Sequence, residues 1–367
     1  MAMRSYQYRL YLNARQERLL FNQLAVARHV YNMALEARKL GWELEQKRLN
    51  KSDGETLAKY YKKTFPQAKL VHSHVLQVAI ADLDKGFKAF FRRVKTGDTA
   101  GYPRFKSYKR FHSIGFKQYG NGFKVDGRRL RVSGVGRIRV RWHRPIEGKI
   151  KTCRISHKAG RWYVSFACEV AEKAALPKTG RDVGLDVGIS ALITSSEGHK
   201  EHNPKWYREA QDRLCILNRR LARAKRGSNQ RKKKRQAVQR WHEHIKNQRK
   251  EFFNKVVFDL VQAYDLIAIE DLQIKNMVKN RHLSKSILDA GWGDFKQRLH
   301  DKAVEAGRLV IEVNPAYTSK TCSNCDAIFK TLTLADRWVE CDCGLSLDRD
   351  HNAAINILKR AGRVRVP

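Results

Sequence analysis

The chain has 367 residues, of which 75 are lysine or arginine and 36 are aspartate or glutamate, a formal charge of +39 at pH 7. So large a surplus needs a polyanion to neutralise it, which makes nucleic acid the expected partner. A hydrophobic content of 42% excludes a merely disordered basic tail and implies a sizeable core, with room for two or three domains. No apolar run approaches the roughly 20 residues of a bilayer span, and residues 1–12 alternate polar and apolar rather than forming a signal sequence. A soluble, intracellular protein without a membrane partner is expected.

In chain order, residues 6–12 alternate as a strand does, and Asn13 then opens a helical pattern through Leu19, Leu20, Leu24, Val30, Tyr31 and Leu35. A polar stretch at 51–54 is expected to break it. A second helical region follows, with Val71, Val75, Leu76, Ile80, Leu83, Phe87 and Phe90 on one face, closed by a Gly- and Pro-punctuated loop at 95–106. Residues 113–170 carry six short alternating runs separated by Gly-containing turns, the pattern of a small antiparallel barrel or sandwich. The strand at 6–12 fits as its first, so the helices read as an insertion. The Pro-containing stretch 171–180 reads as the main linker.

Beyond it, 182–196 reads as strand, turn at Gly188, and strand. Residues 206–250 read as a strongly basic helical hairpin, 252–263 as a further helix, 266–269 as an apolar strand, 289–307 as an amphipathic helix and 309–313 as a strand. Cys322 and Cys325 form a CxxC pair, and Cys341 and Cys343 a tighter CxC pair followed by Gly344. Four thiolates in two small loops suit tetrahedral zinc at about 2.3 Å; a disulfide pairing is the alternative. Cys153, Cys168 and Cys215 read as reduced thiols.

Three acids stand within or at the ends of apolar elements: Asp186 in GLDVGI, Glu270 closing LIAIE, and Asp350 in DRDHNAA. A carboxylate in such a place is costly unless it is paired or meets a cation, and three together call for divalent metal. The order of elements fits an RNase H-like mixed sheet, on which two Mg²⁺ ions about 3.5–4 Å apart would serve phosphodiester hydrolysis. Asp348 competes with Asp350 for the third position.

These residues resemble the TnpB family of transposon-encoded, RNA-guided DNA endonucleases, relatives of the type V CRISPR effectors. The similarity runs through VYNMAL at 30–35, LQVAIADLDKGFKAFF at 76–91, GYPRFK at 101–106, GLDVGI at 184–189, IAIEDL at 267–272, LDAGWGDF at 288–295, and the cysteine and DRDHNAAINI stretches. It implies a multidomain α+β fold: a wedge β-barrel (1–12 and 107–176) with an inserted helical recognition domain (13–106), then an RNase H-like RuvC nuclease domain (177–313 and 345–367) with an inserted zinc ribbon (314–344). It implies the catalytic triad Asp186, Glu270 and Asp350 with Mg²⁺, Asp350 being preferred to Asp348 by its spacing to Asn352 and Ala354. It implies structural zinc on Cys322, Cys325, Cys341 and Cys343.

The implied partners are a guide RNA made from the transposon end and target double-stranded DNA, in a monomeric ribonucleoprotein of a prokaryotic cytoplasm. Base pairing would read the target, and the protein a short flanking duplex motif. Gln77, with Ser73 and His74 on the same element, falls where the family reads that motif, glutamine being able to bond adenine N6 and N7. Arg104, Lys106 and the run Arg231, Lys232, Lys233, Lys234 and Arg235 would hold phosphates. The alternative reading is a cleavage-deficient, RNA-guided regulator of transposition or transcription.

Overall fold

The computed structural model describes residues 2–172, 174–333 and 336–364, and the side chains up to residue 362. Position 1, Lys173 in the expected linker, positions 334–335 of the expected ribbon and 365–367 of the expected nuclease segment lie outside the described residues. The chain divides into two compact units, Met1–Glu172 and Lys173–Pro367.

The first unit begins with β1 (Ala2–Tyr11), whose Tyr6, Tyr8 and Leu10 alternate inward. Asn13 then caps α1 (Ala14–Glu45): its side chain accepts from Gln16 N at 2.8 Å while Gln16 Oε1 accepts from Asn13 N at 3.2 Å. The expected break at 51–54 is instead the start of α2 (Lys51–Thr64), where Asn50 accepts from Ser52 N and the Asp53 carboxylate accepts from Asn50 N, both at 2.6 Å. These polar residues are a capping box, which periodicity alone does not distinguish from a loop. Gly54 in α2 belongs to the packing, since a Cβ there would stand 3.0 Å from Ile80. A short α3 (Pro66–Lys69) leads to α4 (Ser73–Lys95), which packs on α1, α2 and β2 with Val75, Leu76, Ala79, Ile80 and Leu83 buried.

The six alternating runs become β2 (Ser113–Phe116), β3 (Phe123–Asp126), β4 (Arg129–Val132), β5 (Gly136–Arg141), β6 (Lys149–Lys158) and β7 (Arg161–Val170). With β1 they form one antiparallel sheet of order β2-β6-β7-β1-β5-β4-β3. The two outer strands share no ladder among the described residues, yet Phe116 of β2 and Phe123 of β3 have ring centroids 5.8 Å apart, so the sheet curls. This is one curled sheet, not the two stacked sheets of the sandwich alternative. A single core joins it to α1, α2 and α4.

The second unit contains β8 (Asp182–Val187), β9 (Ala191–Ser195), β10 (Lys200–His202), α5 (Trp206–Glu209), α6 (Gln211–Ala222), α7 (Asn229–Ala263) and β11 (Leu266–Glu270). It continues through α8 (Ile274–Met277), α9 (Ser284–Ala290), α10 (Trp292–Ala306), β12 (Leu309–Val313), the hairpin β13 (Trp338–Glu340) and β14 (Ser346–Asp348), and α11 (Arg349–Val364). Its main sheet has the order β10-β9-β8-β11-β12, with β8, β11 and β12 parallel and β9 and β10 antiparallel. β11 is buried at every position, as a strand covered on both faces must be. One face carries the core shared with α7 and α10, and the other a smaller core with Ile357 and Ala361 of α11.

Two helices differ from the sequence expectation. The stretches 229–250 and 252–263 are one helix, α7, because no Gly or Pro interrupts it and Lys, Arg and Gln are good helix formers. The expected helix at 289–307 is two, α9 and α10, jointed at Gly291, which has φ +68°. No helix among the described residues is long and apolar enough to cross a membrane.

Candidate active site and metal centre

Strand register brings the first two acids together. β8 and β11 run parallel with Leu185 opposite Ile269, so Asp186 and Glu270 are the next residues along on adjacent strands. α11 brings the third, and Gly184 lets it approach: a Cβ at 184 would lie 2.1 Å from the carbonyl oxygen of Ala354, closer than atoms can stand. With glycine there, α11 lies directly on β8 and carries Asp350 in its first turn toward Asp186. The carboxyl of Asp186 is pushed well above the usual range, by burial first and then by the charges of Glu270 and Asp350, against the opposing pull of Arg349. Burial also raises Glu270, against the hydrogen bond from Thr318 and the charge of Arg360. Three carboxyls converging on poorly solvated ground repel one another, which is the electrostatic condition a divalent cation relieves.

Asp348 has a different occupation. It accepts from the amides of Asp350 and His351 at 3.1 Å each, which makes it the N-cap of α11, and it pairs with Lys200 Nζ at 2.7 Å. Asp350 is left with an ion pair to Arg349 at 3.4 Å.

The four clustered cysteines meet. Cys322 and Cys343 have sulfurs 3.7 Å apart, Cys325 and Cys341 3.5 Å, and all four lie within 4.8 Å of one another. A tetrahedral zinc with bonds of about 2.3 Å requires sulfur separations of about 3.8 Å, so the set fits zinc closely. All seven cysteines are free, which sets the disulfide alternative aside. The tight CxC turn closes because Gly344 takes φ +84° and donates its amide to Cys341 O at 2.9 Å. Donation from Asn324 Nδ2 helps lower the Cys343 thiol to about 6, while the thiols of Cys325 and Cys341 are raised, Cys341 to about 12, so a zinc ion would have to draw those two to the thiolate. Among the described residues no three carboxylates are drawn together as tightly as these sulfurs.

The knuckle and the acids share a support that the sequence reading missed. Asn352, fully buried, accepts from Ser323 N and donates to Thr321 O, both at 2.8 Å. Asn356, one turn on, donates to Thr318 O at 2.9 Å and Thr321 O at 2.6 Å. The signal was present in the spacing of these asparagines from Asp350, two and six residues on, along one helix.

The expected nucleic-acid residues are placed as follows. Ser73 is exposed at the start of α4 and its hydroxyl accepts from Lys62 Nζ at 3.0 Å. Gln77 and His74 are half-buried, and His74 Nδ1 has no hydrogen-bond partner. Arg104 is exposed, whereas Lys106 is half-buried with its ammonium 5.9 Å from the Tyr31 ring centroid. In the α7 run, Arg231 donates to the carbonyls of Leu221 at 2.9 Å and Ala224 at 2.7 Å, closing the end of α6. Lys232, Lys233 and Arg235 are exposed and Lys234 half-buried. Trp292 packs in the core and donates to Gly188 O at 3.2 Å. A further basic feature, scattered in sequence, is a cavity of about 170 Å³ lined by Lys205, Arg208, His282 and Lys285 beside Ile189. Its one acid, Asp289, is engaged by the amides of Tyr207 and Arg208 and by Arg249.

Against known proteins, the OrfB_IS605 family model, described as "Probable transposase", matches residues 165–281. A Cas12f1-like TNB domain matches 292–357, and a helix-turn-helix domain 1–47. A protein of Streptomyces pristinaespiralis named "Putative RNA-guided DNA endonuclease" is 35% identical over 97% of this chain and 88% of its own. The chain belongs to the TnpB family. InsQ of Escherichia coli K12, also named as an RNA-guided DNA endonuclease, is 32% identical over 78% of this chain and 74% of its own. The mini-RNA-guided endonuclease CRISPR-Cas_phi3 shares the fold, with a TM-score of 0.53 at 11% identity over 98% of this chain and 92% of that one. The helix-turn-helix description does not suit the described residues 2–47, among which there are one strand and one 32-residue helix.

Proposed function

We propose that the chain is an RNA-guided DNA endonuclease that cleaves double-stranded DNA beside a short flanking motif, with Asp186, Glu270 and Asp350 as its catalytic carboxylates. The observation that carries this is their convergence from β8, β11 and the first turn of α11, on a sheet whose antiparallel β8, β9 and β10, with β11 and β12 parallel to β8, support an RNase H-like RuvC reading. Relatives named as RNA-guided DNA endonucleases support the same reading.

Asp186, Glu270 and Asp350 would hold two Mg²⁺ ions, which when bound would lower the pKa of a water and stabilise charge on the leaving oxygen. Strand register brings the Glu270 and Asp186 backbones side by side, and Gly184 sets the depth at which α11 presents Asp350. Asp348 keeps the start of α11 closed, so the helix does not unwind away from the site. Cys322, Cys325, Cys341 and Cys343 hold structural zinc and brace the loop that enters the knuckle. The guide RNA, derived from the transposon end, and the target DNA meet the basic surface, in a monomeric ribonucleoprotein with Gln77, Ser73 and His74 at the duplex motif and Arg104, Lys106, Lys232, Lys233, Lys234 and Arg235 at phosphates.

The test compares Asp186→Asn, Glu270→Gln and Asp350→Asn with wild type for guided cleavage and guided binding. Losing several kcal/mol of transition-state stabilisation predicts cleavage at least about a thousand-fold slower with binding kept. Full cleavage by any of the three removes that residue from the site. Guided binding without cleavage by the wild-type chain would instead establish the regulator.

A further inference from the structure

We propose that Thr318 is a positioning residue for Glu270, its hydroxyl fixing one carboxylate oxygen so that the other faces the divalent ion. The inference rests on the reading of Asp186, Glu270 and Asp350 as metal ligands. Thr318 lies 48 residues from Glu270 in sequence and is 2% exposed. Its Oγ1 stands 2.5 Å from Glu270 Oε1, the length of a hydrogen bond to a charged acceptor. The same hydroxyl is 3.0 Å from Pro315 O, but it has one proton, and the carboxylate is both the nearer and the stronger acceptor. Glu270 is 9% exposed, so little water is at hand to replace the Thr318 hydroxyl as the partner of that oxygen.

The threonine is itself held from two sides. Asn356 of α11 donates to its carbonyl at 2.9 Å, and Arg360 donates to the carbonyls of Asn314 at 2.8 Å and Ala316 at 2.6 Å just before it. Four residues after it comes Cys322, the first zinc thiolate. The helix that carries Asp350 therefore also fixes the donor that aims Glu270, so two of the three carboxylates are set by one element. Hydrogen-bonded partners of this kind govern the orientation of metal-ligating carboxylates.

The test is a Mn²⁺ titration of the zinc-loaded full chain at fixed pH, with free Mn²⁺ followed by electron paramagnetic resonance, and zinc content and melting temperature measured alongside. Thr318→Val, isosteric and without the hydroxyl, is expected to bind Mn²⁺ about 10- to 100-fold more weakly, while Thr318→Ser, which keeps the donor, returns to the wild-type affinity. Should the valine variant fail to retain zinc, Thr318→Ala carries the same comparison with serine. Glu270→Gln separates the two levels. If it weakens Mn²⁺ binding and loss of the Thr318 hydroxyl does not, the positioning role is wrong and the metal site stands. If Glu270→Gln binds as wild type does, the metal-site reading falls and the inference with it.

Discussion

Asp348 and Asp350 stand two residues apart and meet opposite surroundings. Asp348 is satisfied by two amides and a lysine, so its removal is a structural loss: Asp348→Ala should cost about 0.5–2 kcal/mol in stability, as a lost N-cap does, with guided cleavage retained once the protein is folded. Asp350 and Asp186 belong to a cluster that repels itself without metal. Asp186→Asn should therefore raise the melting temperature of the metal-free protein, and the rise should shrink in saturating Mg²⁺, as thermal unfolding with and without the ion would show. A fall in melting temperature would mean that Asp186 is held by a structural partner. Composition does not separate Asp348 from Asp350, because both are acids at a helix start. What differs is which carboxylate the first turn turns back upon, and the amides of Asp350 and His351 donate to Asp348.

At the scale of elements, the close approach of α11 to β8 is the feature on which the site depends. Gly184→Ala would push a methyl against Ala354 O and displace the helix, at a cost of about 1–3 kcal/mol as for other overpacked positions, with cleavage falling further than stability alone predicts. A second tie secures the start of β11: the Asp265 carboxylate accepts from Thr179 N at 2.9 Å, Gly180 N at 2.8 Å and Arg308 at 2.6 Å. The amide of Thr179 in the first place, then that of Gly180 and the charge of Arg308, hold its carboxyl below the usual range. A carboxyl depressed in the folded state stabilises above its unfolded value of 3.8 and loses that contribution as pH falls through its folded value. Urea midpoints should therefore show Asp265→Asn less stable than wild type at pH 7, with the difference closing in acid below pH 3.8.

Apart from β10, the strands of the two main sheets were legible because alternation and short apolar runs survive in the sequence, and the cysteines because their spacing is chemical. The α2 start at Asn50, the continuity of α7 and the strand β10 were not, because capping boxes, charged helices and three-residue strands leave weak apolar periodicity. Resemblance carried Gly184 as part of a motif; only packing showed why no side chain fits there.

At the scale of the whole molecule, a formal charge of +39 means that binding must weaken steeply with salt. Replacing Lys232, Lys233 and Arg235 by glutamine should reduce the slope of log affinity against log salt by about 0.7–0.9 for each phosphate no longer neutralised. Arg231→Gln should instead lower the melting temperature and leave the slope unchanged, since its guanidinium closes α6. The chain can be purified with its bound RNA, that RNA sequenced, and the complex offered a matching plasmid with randomised flanks and Mg²⁺. An RNA-guided endonuclease should cut only where the match and one flanking motif are both present, and the cutting should disappear with Asp186→Asn. Cutting indifferent to the RNA, or matched binding with the DNA left whole, would contradict it.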